Sequence, residues 1–244
     1  MGPTNPITLQ RFEDRQFFTT TTSDDPIIQK LAAKNSGTVF ATDTILGALM
    51  AAPLSAITWD IIVRKHNGKI FLDKRSNSRL DFWSVNENES DSLPTDPTNL
   101  NSQNNLSLEA TLINHNFSQQ VLAKDPAGLA FEESNPFSDA VDLGNQPASL
   151  GYLYKRWDLT DDIKLVARCE INAAYRTAEG ETSYMSVKAL NEFDHHVTGG
   201  MEWRRTVDKQ ASGVIANEMK TNSSKLARWT AQAILAGADH LLIG

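Results

Sequence analysis

Apolar positions change their period several times along the chain, and each change marks an element. Asp24-Asp25-Pro26 sets carboxylates ahead of a proline, as in a first helical turn. IIQKLAAKN then repeats apolar residues at helical spacing and stops at Ser36-Gly37. A second helix is predicted from near Thr42-Asp43 through ILGALMAA to Pro53. Residues 58–65, TWDIIVRK, are β-branched and aromatic, Asn67-Gly68 suits a type I′ turn, and KIFLDKR returns, which predicts a hairpin.

A helix follows over 107–122, then strands over 152–157, 163–171 and 184–190, with a turn at Glu179-Gly180 between the last two. Residues 214–219 read as a further short strand. A final helix runs over 222–235, capped by Asn222 or Ser223 and ended by Gly237. The closing LLIG looks like a strand cut short, as in a fragment. Between these elements lie two irregular stretches. NENESDSLPTDPTNLNSQNN, residues 86–105, is polar, contains two prolines and lacks Lys and Arg, so it is predicted to be a mobile acidic loop. The second spans 124–147. There is no internal repeat and no regular βαβ rhythm, which favours an α+β fold with a mixed sheet.

Composition narrows the class. The chain has 244 residues, 40% hydrophobic and 22% charged, enough for one domain with a substantial core. No apolar run approaches the roughly 18 residues of a membrane-spanning helix. MGPTNPITLQRFEDR lacks the basic start and apolar core of a signal peptide. Residues 1–18 are read as an N-terminal extension, with Met1-Gly2-Pro3 as an expression remnant. Cys169 is alone, which excludes an intrachain disulfide, and sequons such as Asn88-Glu89-Ser90 matter only in a secreted protein. A cytoplasmic location is expected. The net charge of -7 and pI near 5.2 do not suit a protein that coats long stretches of phosphate backbone. Any nucleic-acid contact is expected to be local: an end, a base or a short single strand.

Few residues advertise chemistry. Glu170 on one predicted strand and Glu218-Met219-Lys220 on another form a carboxylate–lysine set able to hold Mg²⁺ beside a phosphate, although an isolated Glu-x-Lys is more often a solvated salt-bridging face. His195-His196 point to opposite faces of a strand and lack a spaced third ligand for zinc. No nucleophile elbow, P-loop or dinucleotide fingerprint is present. Trp59, Trp83, Trp157, Trp203 and Trp229 suffice for base stacking, but tryptophans in strands and on apolar helix faces are more often core.

FATDTILGALM, WDIIVRK with GKIFLDKRSNS, LEATLINHNFSQQVL, RCEIN, KALNEFD and IANEMKTNSSKLARWTAQAILAG together resemble the D-subunit family of eukaryotic translation initiation factor 3. The resemblance runs in order from about Thr19 to the end, so that residues 19–244 look like most of that family's cap-binding domain. It implies a fold similar to the DXO/Rai1 decapping and 5′-to-3′ exonuclease group, with mixed, mostly antiparallel sheets flanked by helices. That group's active site uses Gly-φ-x-φ-Glu, Cys-Glu-φ-Asp and Glu-φ-Lys motifs, φ being apolar. The second matches Cys169-Glu170-Ile171-Asn172, with Asn in the Asp position. The third is matched by Glu218-Met219-Lys220, and the first falls on 114–118 with Ser118 in place of the glutamate. A degenerate nuclease site of Ser118, Glu170, Asn172, Glu218 and Lys220 is therefore expected to bind without cutting, with no catalytic residue, metal or cofactor, because hard cations depend on anionic oxygens.

The resemblance also implies a cap-side surface of Asp43, Ala56, Ile57, Thr111, Asn114 and His115. Thr111, Asn114 and His115 are spaced i, i+3, i+4 and share a helix face. The positive charge of 7-methylguanine favours an aromatic stack and a carboxylate partner. The acidic stretch 86–105 occupies the place of the family's RNA gate. Implied partners are the capped 5′ end of mRNA, other subunits of the initiation factor and the small ribosomal subunit, with no membrane. An active decapping nuclease and a purely structural member of the initiation complex are the alternatives.

Overall fold

The computed structural model describes residues 7–88, 93–123, 128–192 and 202–244. The Met1-Gly2-Pro3 segment, the His195-His196 pair and most of the Asn88-Glu89-Ser90 sequon lie outside them. In chain order the structure runs β1 (Arg15–Gln16), α1 (Pro26–Ala33), β2 (Val39–Thr42), α2 (Asp43–Ala51), β3 (Ile62–His66), β4 (Lys69–Asp73) and α3 (Gln103–Gln120). It continues with β5 (Gln146–Pro147), β6 (Gly151–Asp158), β7 (Lys164–Ile171), β8 (Ala173–Arg176) and β9 (Thr182–Lys188). Then come α4 (Trp203–Thr221), α5 (Ser223–Ala236) and β10 (His240–Ile243).

β7 organises the core because its two faces are covered differently. Val166 joins Ile28, Ala32, Phe40 and Phe71 under α1. Ala167, Cys169 and Ile171 alternate to the other side and meet Ala236 of α5 and Leu46 of α2. The sheet holding it has the order β3-β4-β2-β7-β6. β2 pairs in parallel with both β4 and β7, whereas the longer β3–β4 and β6–β7 ladders are antiparallel. A second sheet joins β8 and β9 antiparallel and β9 and β10 parallel. β1 and β5 form a separate parallel pair. The fold is α+β with mixed sheets, and the terminal LLIG is a paired strand.

Side-chain chemistry explains the joints. The Asp25 carboxylate is fully buried and fully engaged: it caps α1 through the Ile27 and Ile28 N–H groups and accepts from Tyr154 and from Arg168 of β7 at 2.9 Å. Gly47 lets α2 approach α5, since a Cβ there would sit 3.2 Å from Gln232 Cγ and 3.3 Å from the Arg228 carbonyl. Gly237, at φ 66°, ends α5 in the left-handed conformation expected of a C-cap glycine.

Several sequence expectations need correction. β3 starts at Ile62 rather than residue 58, because Trp59 and Ile61 pack against Ile45, Ala48 and Leu80 instead of pairing. α3 begins at Gln103, capped by Ser102, so the polar stretch ends earlier than 105. Its described parts are also tied down. Asn86 and Asn88 donate to Asn222 and to the Thr221 carbonyl at the α4–α5 junction, and Leu93 packs on Val85 and Leu106. β8 follows β7 after a break at Asn172 and was not foreseen. The largest correction concerns 214–219. These residues are helical, part of α4, with Val214 buried and Ile215 and Met219 exposed on the outer face. The Val-Ile pair mimics a strand, but Ala, Glu, Met and Lys around it favour a helix. Asn222 is the N-cap residue of α5, yet its side chain makes no cap and serves Glu218 and Asn86 instead.

Candidate functional site

The parallel strands β4, β2 and β7 end at one edge, where open α/β sheets commonly bind ligands. Lys74 follows β4, Asp43 follows β2, and Glu170 and Asn172 end β7; all line one cavity of about 100 Å³. Six of the expected residues meet there: Asp43, Asn114, His115, Ser118, Glu170 and Asn172. Phe17, Phe18, Asp81, Trp83, Arg168 and Lys188 complete its charged and aromatic lining, and Ser186 lines it too.

Asp43 starts α2 and is buried. Its Oδ2 accepts the Glu170 backbone N–H at 2.9 Å. Burial, then the Glu170 charge, pushes its pKa up to about 6, although Arg168 and Lys188 pull the other way. The Glu170 carboxylate accepts from Asn172 Nδ2 at 3.2 Å, and Asn172 Oδ1 accepts the Val187 N–H at 2.9 Å. Asn172 thus occupies its place as a linker between β7 and β9. His115 stacks on Phe17 with ring centroids 3.7 Å apart and planes 3° from parallel. Burial lowers its pKa to about 4, so the imidazole is neutral at pH 7. Lys188 lies 5.5 Å from the Trp83 ring centroid and makes no ion pair among the described residues. Lys74 and Arg168 are neutralised by Asp81 and Asp25.

The i, i+3, i+4 face of α3 exists, but it is turned inward. The Asn114 carboxamide exchanges hydrogen bonds with the Ala189 N–H (3.0 Å) and carbonyl (2.8 Å), clamping α3 to the end of β9. Thr111 lies outside the cavity. Its hydroxyl donates to the Ser107 carbonyl and accepts the Trp83 N–H. Ala56 and Ile57 lie beyond the cavity too, lining a neighbouring groove, and both donate backbone N–H groups to Glu87.

Glu218 and Lys220 are displaced from the site altogether. Two residues apart on α4, they project about 200° apart rather than sharing a strand face. Glu218 takes a 2.7 Å hydrogen bond from Asn222, and burial raises its pKa; Lys220 is exposed. Ser186 and Lys188 on β9 line the cavity instead. Sequence reasoning missed them, although Ser186-Val187-Lys188 carries an x-φ-Lys spacing on a predicted strand with serine in the acidic position. Of the expected motif residues that line the cavity, Ser118 and Asn172 are neutral and Glu170 is acidic.

That donor set does not fit a resident divalent cation. Asp43, Asp81 and Glu170 supply carboxylates, but Asp81 is paired with Lys74, and Asp43 is committed to a backbone N–H and has its pKa raised to about 6. Among the described residues no group of three His, Cys, Asp or Glu side chains converges. Cys169 is buried on the opposite face of β7, and burial pushes its thiol pKa up, which excludes a nucleophilic role. The arrangement can accept hydrogen bonds at Asp43 and Glu170 and place the Lys188 ammonium against an anion.

Residues 1–244 match the family described as eukaryotic translation initiation factor 3 subunit 7 (eIF-3). The D-subunit of eukaryotic translation initiation factor 3 from Arabidopsis thaliana is 46% identical over 242 residues, covering 99% of this chain and 40% of that protein. The Nasonia vitripennis protein of the same name is 48% identical over 236 residues, 97% of this chain and 42% of that one. The D-1 form from Drosophila ananassae is 49% identical over 234 residues, 95% and 41%. The chain therefore spans about two-fifths of these relatives' length. Among solved structures, Candida albicans Rai1 in complex with pU5-Mn²⁺ aligns at 14% identity and a TM-score of 0.46, covering 89% of this chain and 51% of that one.

Proposed function

The chain belongs to the D-subunit family of eukaryotic translation initiation factor 3, and from that premise we propose that it binds the 7-methylguanosine-capped 5′ end of mRNA during translation initiation without cleaving it. One observation carries the non-enzymatic part. The cavity at the strand ends is lined by Asp43, His115, Glu170 and the Lys188 cation, while on the resemblance Ser118 and Asn172 take positions that carry carboxylates in the metal-dependent nucleases of that group. Hard cations need those anionic oxygens. Without them the groove orients an RNA end but has no means of activating a water molecule for attack on phosphate.

In this reading the protein works in the cytoplasm with other subunits of the initiation factor and the small ribosomal subunit. Among the described residues no helix is long and apolar enough to cross a membrane. The stretch before α3 acts as the gate: Leu93, Pro94, Thr95 and Pro97 wall the groove that Ala56 and Ile57 line from the other side.

Crosslinking of the chain to mRNA labelled at its cap, competed by cap analogue, tests the reading, together with incubation of capped and 5′-phosphate RNA in Mg²⁺ or Mn²⁺. The expected result is a competable crosslink and intact RNA. Absence of a crosslink leaves a purely structural role, and metal-dependent RNA breakdown an active nuclease.

A further inference from the structure

The cavity beside Glu170 can take part of an RNA terminus but is too small to enclose a methylated guanine base. At about 100 Å³ it falls below the roughly 300–1,000 Å³ of small-molecule sites. A second cavity of about 510 Å³ lies between the loop after α2, the N-terminal turns of α3 and the start of α5. Its walls include Ile57, Trp59, Arg79, Glu87, Ser224 and Arg228.

These walls carry unmatched polarity of both signs. The hydrogen bonds from Ser55 Oγ (2.6 Å), Ala56 N (2.8 Å) and Ile57 N (3.1 Å) all end on Glu87 Oε1, and Oε2 receives none of them. Burial works to raise the Glu87 pKa, but hydrogen bonding from Ser55, Ser84 and the Ile57 and Ala56 N–H groups outweighs it and holds the carboxyl below its usual range, so it is an anion at pH 7. The Arg228 guanidinium donates to the Leu80 carbonyl but makes no ion pair among the described residues, and its Nε has no partner. Burial lowers its pKa to about 10. Ser224, 1% exposed, has an unpartnered hydroxyl. The guanidinium also lies 4.8 Å from the Trp83 ring centroid, so what is left unsatisfied is its buried Nε–H and the Ser224 hydroxyl, which are costly unless a ligand satisfies them. Arg79 reaches the same cavity from its exposed rim.

We propose that this larger cavity, rather than the strand-end cavity, receives the methylated base of the cap, with the Glu87 carboxylate as its specificity-determining partner and Trp59 as its aromatic wall. The proposal rests on the cap-binding reading and assigns the base its place. A 7-methylguanine is a cation with hydrogen-bond donors on its Watson–Crick edge, suited to a carboxylate and an indole. The phosphates that follow are anions, suited to Arg79 and Arg228.

Isothermal titration of the chain with 7-methyl-GTP and with GTP tests it, using wild type, Glu87→Gln, Trp59→Phe and Asp43→Asn. Glutamine retains an acceptor for Ser55, Ala56 and Ile57, so the loop stays in place. Wild type is expected to prefer 7-methyl-GTP. Glu87→Gln is expected to weaken 7-methyl-GTP by about ten- to a hundred-fold and GTP by less than about three-fold, the scale of losing one charge-assisted hydrogen bond. Quenching of intrinsic fluorescence by 7-methyl-GTP, an independent readout, is expected to fall in Trp59→Phe. If Glu87→Gln keeps full discrimination and quenching persists without Trp59, while Asp43→Asn loses the preference, the base sits at the strand ends; this proposal then fails and cap binding stands. If wild type shows no preference for the methylated base, both fall.

Discussion

Asp43 and His115 face one cavity but titrate in opposite senses, and this gives the site a pH signature. The Asp43 carboxyl takes its proton near pH 6 when folded and near 3.8 when unfolded. Between those values the native state holds the extra proton, so stability falls as pH rises, and above pH 6 the whole cost of about 2–3 kcal/mol is present. His115 takes its proton near 4 when folded and 6.5 when unfolded, so there the unfolded chain holds the extra proton and stability rises with pH. In the wild type the two slopes largely offset between pH 4 and 6. Asp43→Asn keeps an acceptor for the Glu170 N–H and removes the charge. It should raise Tm near pH 7.5 by roughly 4–8 °C, for about 2 kcal/mol, and the gain should vanish near pH 4. In that variant stability should decline from pH 6.5 toward 4, and a second substitution, His115→Gln, should flatten the decline. An equal Tm difference at both pH values would show that burial of Asp43 is not what shifts its proton.

At the scale of elements, the question is which expected ligand residues hold the fold instead. Asn114 satisfies the Ala189 N–H and carbonyl from the middle of α3. Asn114→Ala leaves both groups without that partner in a buried site, and a loss of about 2–4 kcal/mol is expected in urea denaturation. Thr111→Val removes one hydroxyl acceptor for Trp83 and should cost about 1 kcal/mol. Reduced RNA binding in either variant has to be measured at equal folded fraction, because unfolding alone would lower it. If Asn114→Ala is fully stable and still fails to bind, Asn114 is a ligand contact after all. The helices α1, α2, α3 and α5 and the β3–β4 hairpin were legible from period and turn residues, because their apolar faces are one-sided. The 214–219 segment was not: Val214 and Ile215 read as β-branched pairing, whereas burial of Val214 alone, with Ile215 facing outward, fits a surface helix. That misreading carried Glu218 and Lys220 into the site and hid Ser186 and Lys188. The resemblance assigned Asp43 and His115 to a cap-side surface and Ser118, Glu170 and Asn172 to a separate degenerate site, whereas in the structure all five line one cavity; no periodicity shows that helix α3 turns Thr111 and Asn114 toward the interior.

For the whole molecule, on the proposed cap-binding reading, net charge and the position of the stretch proposed as a gate decide how RNA can approach. With a charge of -7, long-range attraction to phosphate is absent, so binding has to come from a few local cations. Lys188 at the strand ends and Arg79 and Arg228 in the larger cavity are the candidates. If about three phosphates are neutralised, log Kd should change with log salt by a slope of only about 2, at about 0.7 per phosphate for a single strand. A slope near 5 or above would mean that RNA runs over a basic surface elsewhere, and the end-binding reading would lose its footing. The gate adds a second term. Pro94, Thr95 and Pro97 stand across the groove from Ala56 and Ile57, with the exposed Asp96 carboxylate among them, so phosphate entering there meets a steric wall and one like charge. Replacing residues 94–98 with a short Gly-Ser link retains Leu93, whose packing on Val85 and Leu106 anchors the stretch, and retains the Asn88 hydrogen bonds. The shortened chain should bind capped RNA several-fold tighter at fixed salt, and mostly through a faster on-rate, because a barrier to entry has been removed while the contacts of the bound state are unchanged. An unchanged on-rate would show that RNA reaches the cavities by another route and that this stretch is only a wall.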